Sequence, residues 1–157
     1  REAVSVALEE QFPEILDPIA AHIDRLGSQL WGREHLYEFT WEEFEQIIGE
    51  LYRDLGFDVE VTQGTADLGI DVWAESELER IAIQVKQYDE GNAVGRKTLQ
   101  QLLSTVARGE ADKAVVVTSG DYAHTAEQYA ADTPAIQLID GAELIELLSE
   151  SKIPPPV

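Results

Sequence analysis

Two spacings of apolar residues alternate along this chain, and each change of spacing marks a new element. Trp41, Phe44, Ile48, Leu51, Tyr52 and Leu55 recur at three- and four-residue steps, as expected of a helix with one buried face. Thr40 precedes the stripe with Glu43 three residues on, a capping-box spacing, and Gly56 closes it. The step then falls to two, so Phe57, Val59 and Val61 share one side of a strand over residues 57–62. From Asp67 to Tyr88 the pattern predicts two more short strands around a polar turn at Glu75–Glu79. Strict alternation there puts Ile70, Val72 and Ala74 on one face, against Asp71, Trp73 and Glu75. On the next strand Ile81, Ile83 and Val85 oppose Gln84 and Lys86.

Helical spacing returns from about Gly95 to Arg108, with Leu99, Leu102, Leu103 and Val106 inward. The unbroken run Lys113–Thr118 predicts a central strand buried on both faces. Thr118-Ser119-Gly120-Asp121 is expected to open a helix reaching Ala131, with His124 on its surface. A strand over Ile136–Ile139 then leads through Asp140-Gly141 into a last helix carrying Leu144, Leu147 and Leu148. Helix, three strands, helix, strand, helix, strand, helix predicts an α/β fold, a mixed β-sheet flanked by helices on both sides.

Upstream, Asp17-Pro18 has the form of a cap and first-turn proline before Ile19, Ile23, Leu26 and Leu30. The chain thus divides into an N-terminal helical segment or linker (1–38), a main domain (39–150) and a proline-rich tail (151–157). The N-terminal stripe needs a partner. The main domain, a second copy in a homodimer and an upstream domain of a longer chain are all compatible with it. His22 and His35 have no companions that would make them ligands.

Charge changes the picture. Eleven Lys and Arg stand against 31 Asp and Glu, a net −20, the wrong sign for a protein that approaches DNA. Only four of the cations are lysines. With 44% hydrophobic residues the chain is not a disordered acidic protein. An acidic DNA mimic is one reading; a halophilic protein, whose self-repulsion molar salt screens, is the other. Against the mimic, residues 80–108 hold five cations (Arg80, Lys86, Arg96, Lys97, Arg108) and two acids (Asp89, Glu90), a positive stretch that overlaps the hairpin. Cysteine is absent, which excludes disulfides and thiolate sites. No apolar run is long enough to span a bilayer and no leader opens the sequence, so a cytoplasmic protein with no membrane contact is expected.

If the strands of the hairpin pair, Asp71, Gln84 and Lys86 converge. An acid, an amide oxygen and an ammonium at strand ends suit a divalent metal beside a phosphodiester; the plain alternative is an amphipathic hairpin with a solvated polar face. Asp71 followed by Gln84-Val85-Lys86 resembles the D...QxK variant of the PD-(D/E)XK nucleases, in particular the Mrr-like restriction endonucleases. Phe44-Glu45, Leu55-Gly56-Phe57, Gly69-Ile70, Val117-Thr118-Ser119 and Leu138-Ile139-Asp140-Gly141 extend the resemblance from Thr40 to Leu148. Leu68 departs from it, standing where the family usually has glycine.

The resemblance implies a restriction-endonuclease-like fold and a Mg²⁺-dependent endonuclease acting on double-stranded DNA, with Mn²⁺ as a substitute. It implies metal ligation by Asp71, Gln84, Glu45 and the Val85 carbonyl, with Lys86 as the catalytic ammonium. A helical phase of about 100° per residue also puts Glu45 at the margin of its helix's buried stripe, where a carboxylate needs a partner. Arg96 and Lys97 near a helix start, and Thr118 and Ser119 at a strand-to-helix turn, are the expected DNA contacts. Asp67 is expected to cap its loop. Two rivals remain: a nuclease-like module that binds without cutting, suggested by Gln84 in place of an acid, and a structure-selective nuclease such as a junction resolvase.

Overall fold

The computed structural model describes residues 30–62, 69–87 and 93–156. The predicted helix at Asp17-Pro18, His22, and the loop residues Asp67, Leu68, Asp89 and Glu90 lie outside them. Residues 31–157 form one compact unit.

In chain order the elements are α1 (Arg33–Tyr37), α2 (Trp41–Asp54), β1 (Asp58–Val61), β2 (Val72–Glu75), β3 (Arg80–Lys86), β4 (Ala93–Val94), α3 (Arg96–Ala107), β5 (Lys113–Thr118), β6 (Asp121–Tyr122), α4 (His124–Ala131), β7 (Ile136–Ile139) and α5 (Gly141–Glu150). The principal sheet has the order β1-β2-β3-β5-β7. Its first three strands are antiparallel, and β3, β5 and β7 are parallel. This is the expected mixed sheet flanked by helices. β4 and β6 add a small parallel pair.

Two apolar clusters cover the sheet. On one face Phe44, Ile48 and Leu51 of α2 and Leu144 and Leu148 of α5 pack over Val72, Ile83, Val115 and Val117. On the other, Leu99 and Leu102 of α3 and Ala126 of α4 cover Ala82, Ala114 and Val116. Both faces of β5 are therefore buried, as its apolar run requires.

The capping box at Thr40 forms as its spacing predicts: Glu43 N–H donates to Thr40 Oγ1 at 3.2 Å, and Thr40 N–H to Glu43 Oε1 at 2.9 Å. Upstream of it, Trp31 and Leu36 are buried in the α2-side cluster. Trp31 Nε1 donates to the Ile153 carbonyl (2.9 Å), and His35 Nδ1 accepts from Gly32 N–H (2.8 Å), so His35 caps a helix.

Three local expectations are corrected. Asp121 and Tyr122 do not open a helix; they pair with Ala93 and Val94, and α4 begins three residues later behind Ala123. Trp41 begins the stripe of α2 yet is 52% exposed. Ile70 does not share a face with Val72 and Ala74, for it packs in the α3-side cluster. The ladder is irregular there: Asp71 N–H donates to Ile83 O (2.9 Å) although Ile83 is the register partner of Val72. Gly69, at φ +75°, turns the chain into this irregularity.

Candidate active site

The parallel strands end together at Lys86, Thr118 and Ile139. Asp71 immediately precedes antiparallel β2, whose first residue pairs with Ile83, so it lies at the same end of the sheet. Trp41 and Glu45 of α2 line a cavity with Val61, the last residue of β1. The first turns of α2 are therefore at that end as well. α3 follows β3, and the N–H of Ala123, beyond β5, donates to the Val94 carbonyl, which places the start of α3 there too. Clefts outside the carboxyl ends of parallel strands are common ligand sites in such folds.

Where β2 parts from β3, the amide of Val85, which faces β2, donates to Asp71 Oδ2 at 2.7 Å. Glu45, 4% exposed, reaches the Asp71 carboxylate from α2 within hydrogen-bonding distance. Burial raises the Glu45 pKa to about 7, and the nearby Asp71 and Glu42 carboxylates reinforce the shift. Burial also raises Asp71, opposed by the Val85 N–H, the Glu45 hydrogen bond and the Lys86 charge. Two desolvated carboxylates in contact do not both ionise readily, so the pair keeps a proton above the ordinary carboxylate range.

Gln84 lies on the other side of β3. It is 8% exposed, and its Oε1 is buried without a hydrogen-bond partner among the described residues. A Cβ on Gly69 would come within 2.9 Å of its Nε2. Gln84 lines a cavity of about 410 Å³ with Gly69, Gln101 and Ser104, and no hydrogen bond joins its Oε1 to either carboxylate. The structure thus gathers Glu45, Asp71, the Val85 backbone and Lys86, and brings Gln84 to the same strand end from the α3 side. Among the described residues no group of three or more His, Cys, Asp or Glu could hold a metal. Two carboxylates, a partnerless amide oxygen and a strand carbonyl nevertheless fit a hard divalent cation, which prefers such oxygens.

The expected DNA contacts separate. Arg96 and Lys97 are exposed in the first turn of α3, with the Arg96 guanidinium 5.1 Å from the Tyr129 ring centre. Thr118 and Ser119 are fully buried. Thr118 Oγ1 accepts from Gly120 N–H (3.1 Å), and the Ser119 carbonyl accepts from Arg33 Nη2 (2.9 Å). They shape the turn after β5 and offer no surface to a phosphate. The cation-rich stretch also comes apart in space. Arg80 begins β3 and Arg108 follows α3, both at the opposite end, Arg80 over Trp73 (4.2 Å) and Arg108 paired with Glu110 (3.0 Å).

Gln87 was not singled out in the sequence. Its Nε2 donates to Phe39 O (2.6 Å) and Leu36 O (3.3 Å), tying the residue after Lys86 to the connection before α2. Its place directly after the Gln84-Val85-Lys86 strand was the available signal.

The family described as restriction endonuclease, the Mrr catalytic family, matches residues 36–148. The chain belongs to that family. It is 26% identical over 154 residues to the type IV methyl-directed restriction enzyme EcoKMrr of Escherichia coli (strain K12), covering 93% of this chain and 47% of that protein. The chain therefore spans about half the length of this Mrr relative. Two solved structures share the fold. The DNA modification-dependent restriction endonuclease AspBHI superposes with a TM-score of 0.61 at 23% identity, over 78% of this chain and 37% of its own. MspJI restriction endonuclease, solved in complex with a 27-mer oligonucleotide, gives 0.53 at 19% identity, over 75% and 28%.

Proposed function

We propose that this Mrr-family domain is a metal-dependent DNA endonuclease of the cytoplasm that takes part in restriction of foreign or modified DNA. The meeting of Glu45, Asp71, the Val85 backbone and Lys86 where β2 leaves β3 carries the reading. Glu45, Asp71, Gln84 and the Val85 carbonyl would hold Mg²⁺, or Mn²⁺ in its place. A bound ion of this class supplies Lewis-acid activation of water and neutralises charge at the phosphate. The Val85 N–H orients the Asp71 carboxylate. Lys86 would supply positive charge to the oxygens around the pentavalent phosphorus, where negative charge grows. Arg96 and Lys97 lie where they would meet the backbone of double-stranded DNA.

A supercoiled plasmid, methylated or unmethylated, incubated with the protein and Mg²⁺ in molar KCl tests the proposal. Nicking that requires the metal is expected, stronger on the methylated plasmid. No nicking in any salt from about 0.1 to 3 M would leave a binding module, and cutting confined to branched DNA would make it a junction-selective enzyme.

A further inference from the structure

Trp41 presents 52% of its surface to solvent at the start of α2, one helical turn before Glu45. With Glu42, Glu45, Gln46 and Val61 it lines an open cavity of about 390 Å³, ample for a nucleobase. The chemistry of the walls selects what enters. The indole face attracts a planar ring, and Glu42 and Gln46 offer acceptors to ring N–H and exocyclic amino groups. Of the five cations in residues 80–108, only Lys86, Arg96 and Lys97 stand at this end of the sheet, so ionic attraction for a polyanion is weak in a chain of net charge −20. Stacking on an aromatic does not depend on counterion release.

We propose that this cavity is a nucleobase site, in which an unstacked base next to the cleaved phosphate lies on Trp41 with its polar edge towards Glu42 and Gln46. The inference rests on the nuclease reading above. It predicts that single-stranded or locally opened DNA, whose bases can leave the stack, engages Trp41, whereas a closed duplex binds without it.

The test uses the full chain carrying Lys86→Ala, so that DNA survives, with Mg²⁺ present and a fluorescently labelled 12-nucleotide single strand or its duplex as probe. Trp41→Ala should weaken single-strand binding by about tenfold or more, by a similar factor at low and high salt. Trp41→Phe should restore most of the loss, and duplex affinity should change less than threefold. Equal single-strand affinity with Trp, Phe and Ala at position 41 overturns the site. If the unmodified chain still nicks plasmid DNA in that case, the nuclease reading stands and only the pocket is lost. A chain that neither binds nor nicks DNA overturns both.

Discussion

On the α2 side of β3 two carboxylates lie together and burial raises the pKa of both; on the α3 side one buried amide oxygen has no hydrogen-bond partner among the described residues. The first place has more negative charge than burial tolerates, the second an acceptor that folding left unused. Chemically the deficits are alike, since each calls for an electron-pair acceptor. They differ in what relieves them without metal. Protonation relieves the carboxylates, whereas the amide oxygen, far too weak a base to take a proton, has no such route. The two sides of β3 should therefore respond differently to mutation, pH and ions.

The largest effect is expected at Lys86, whose charge acts on Asp71. Lys86→Ala should lower plasmid nicking at least a hundredfold while changing stability by less than about 1 kcal/mol, because no described ion pair holds its ammonium; nicking kinetics and urea melts read both. Retained cleavage would remove Lys86 from the chemistry.

Next is the carboxylate side, through pH. Native Glu45 keeps its proton to about 7, against 4.5 for the ordinary carboxyl, so between those values the folded state binds more protons than the unfolded one. Stability of the metal-free protein should fall as pH rises through that window and level off above it. Glu45→Gln should flatten the profile in denaturant melts at pH 5 and 8. An unchanged slope would separate Glu45 from the proton.

The amide side should show opposite signs for folding and for binding. Gln84→Leu removes the partnerless oxygen, so metal-free stability should hold or rise by about 1 kcal/mol, while Mg²⁺ affinity measured by calorimetry falls sharply. Gln84→Glu should do the reverse, adding a buried charge that weakens the metal-free fold and tightens metal binding. Equal metal affinity in all three forms would detach Gln84 from the ion. Gly69→Ala, with its Cβ thrust against the Gln84 amide at φ +75°, should cost roughly 1–2 kcal/mol.

The smallest effect per group, spread over the surface, concerns salt. Lowering KCl from about 2 M to 0.1 M lengthens screening from a few Å to about 10 Å, and 31 acids should then lower the melting temperature. A constant melting temperature would dismiss adaptation to salt.

What could be foreseen depended on how many residues carried each signal. β5 announces itself through a continuous apolar run, and α3 through four leucine and valine positions at helical steps. β4 and β6 have two residues each, too few to show a period, and Asp121 passed for a helix cap because its pairing with Ala93 is non-local. The side chains of the site were legible as types, but their arrangement was not. Alternation assigned Asp71 and Gln84 to one face, and only the ladder irregularity after Gly69 turns the Asp71 carboxylate to meet Glu45. The exposed Trp41 was hidden for the converse reason, since helical spacing shows which side of α2 is apolar but not where the sheet beneath it stops.

The clasp made by Gln87 also bears on mechanics. Its amide grips two backbone carbonyls ahead of α2, so the strand bearing Lys86 and the helix bearing Glu45 are joined like the jaws of a caliper. The fastening is made of neutral dipoles, which mobile ions hardly screen. Salt can loosen or tighten the charged exterior, yet a clasp that carries no charge should hold the gap between those jaws at the same width.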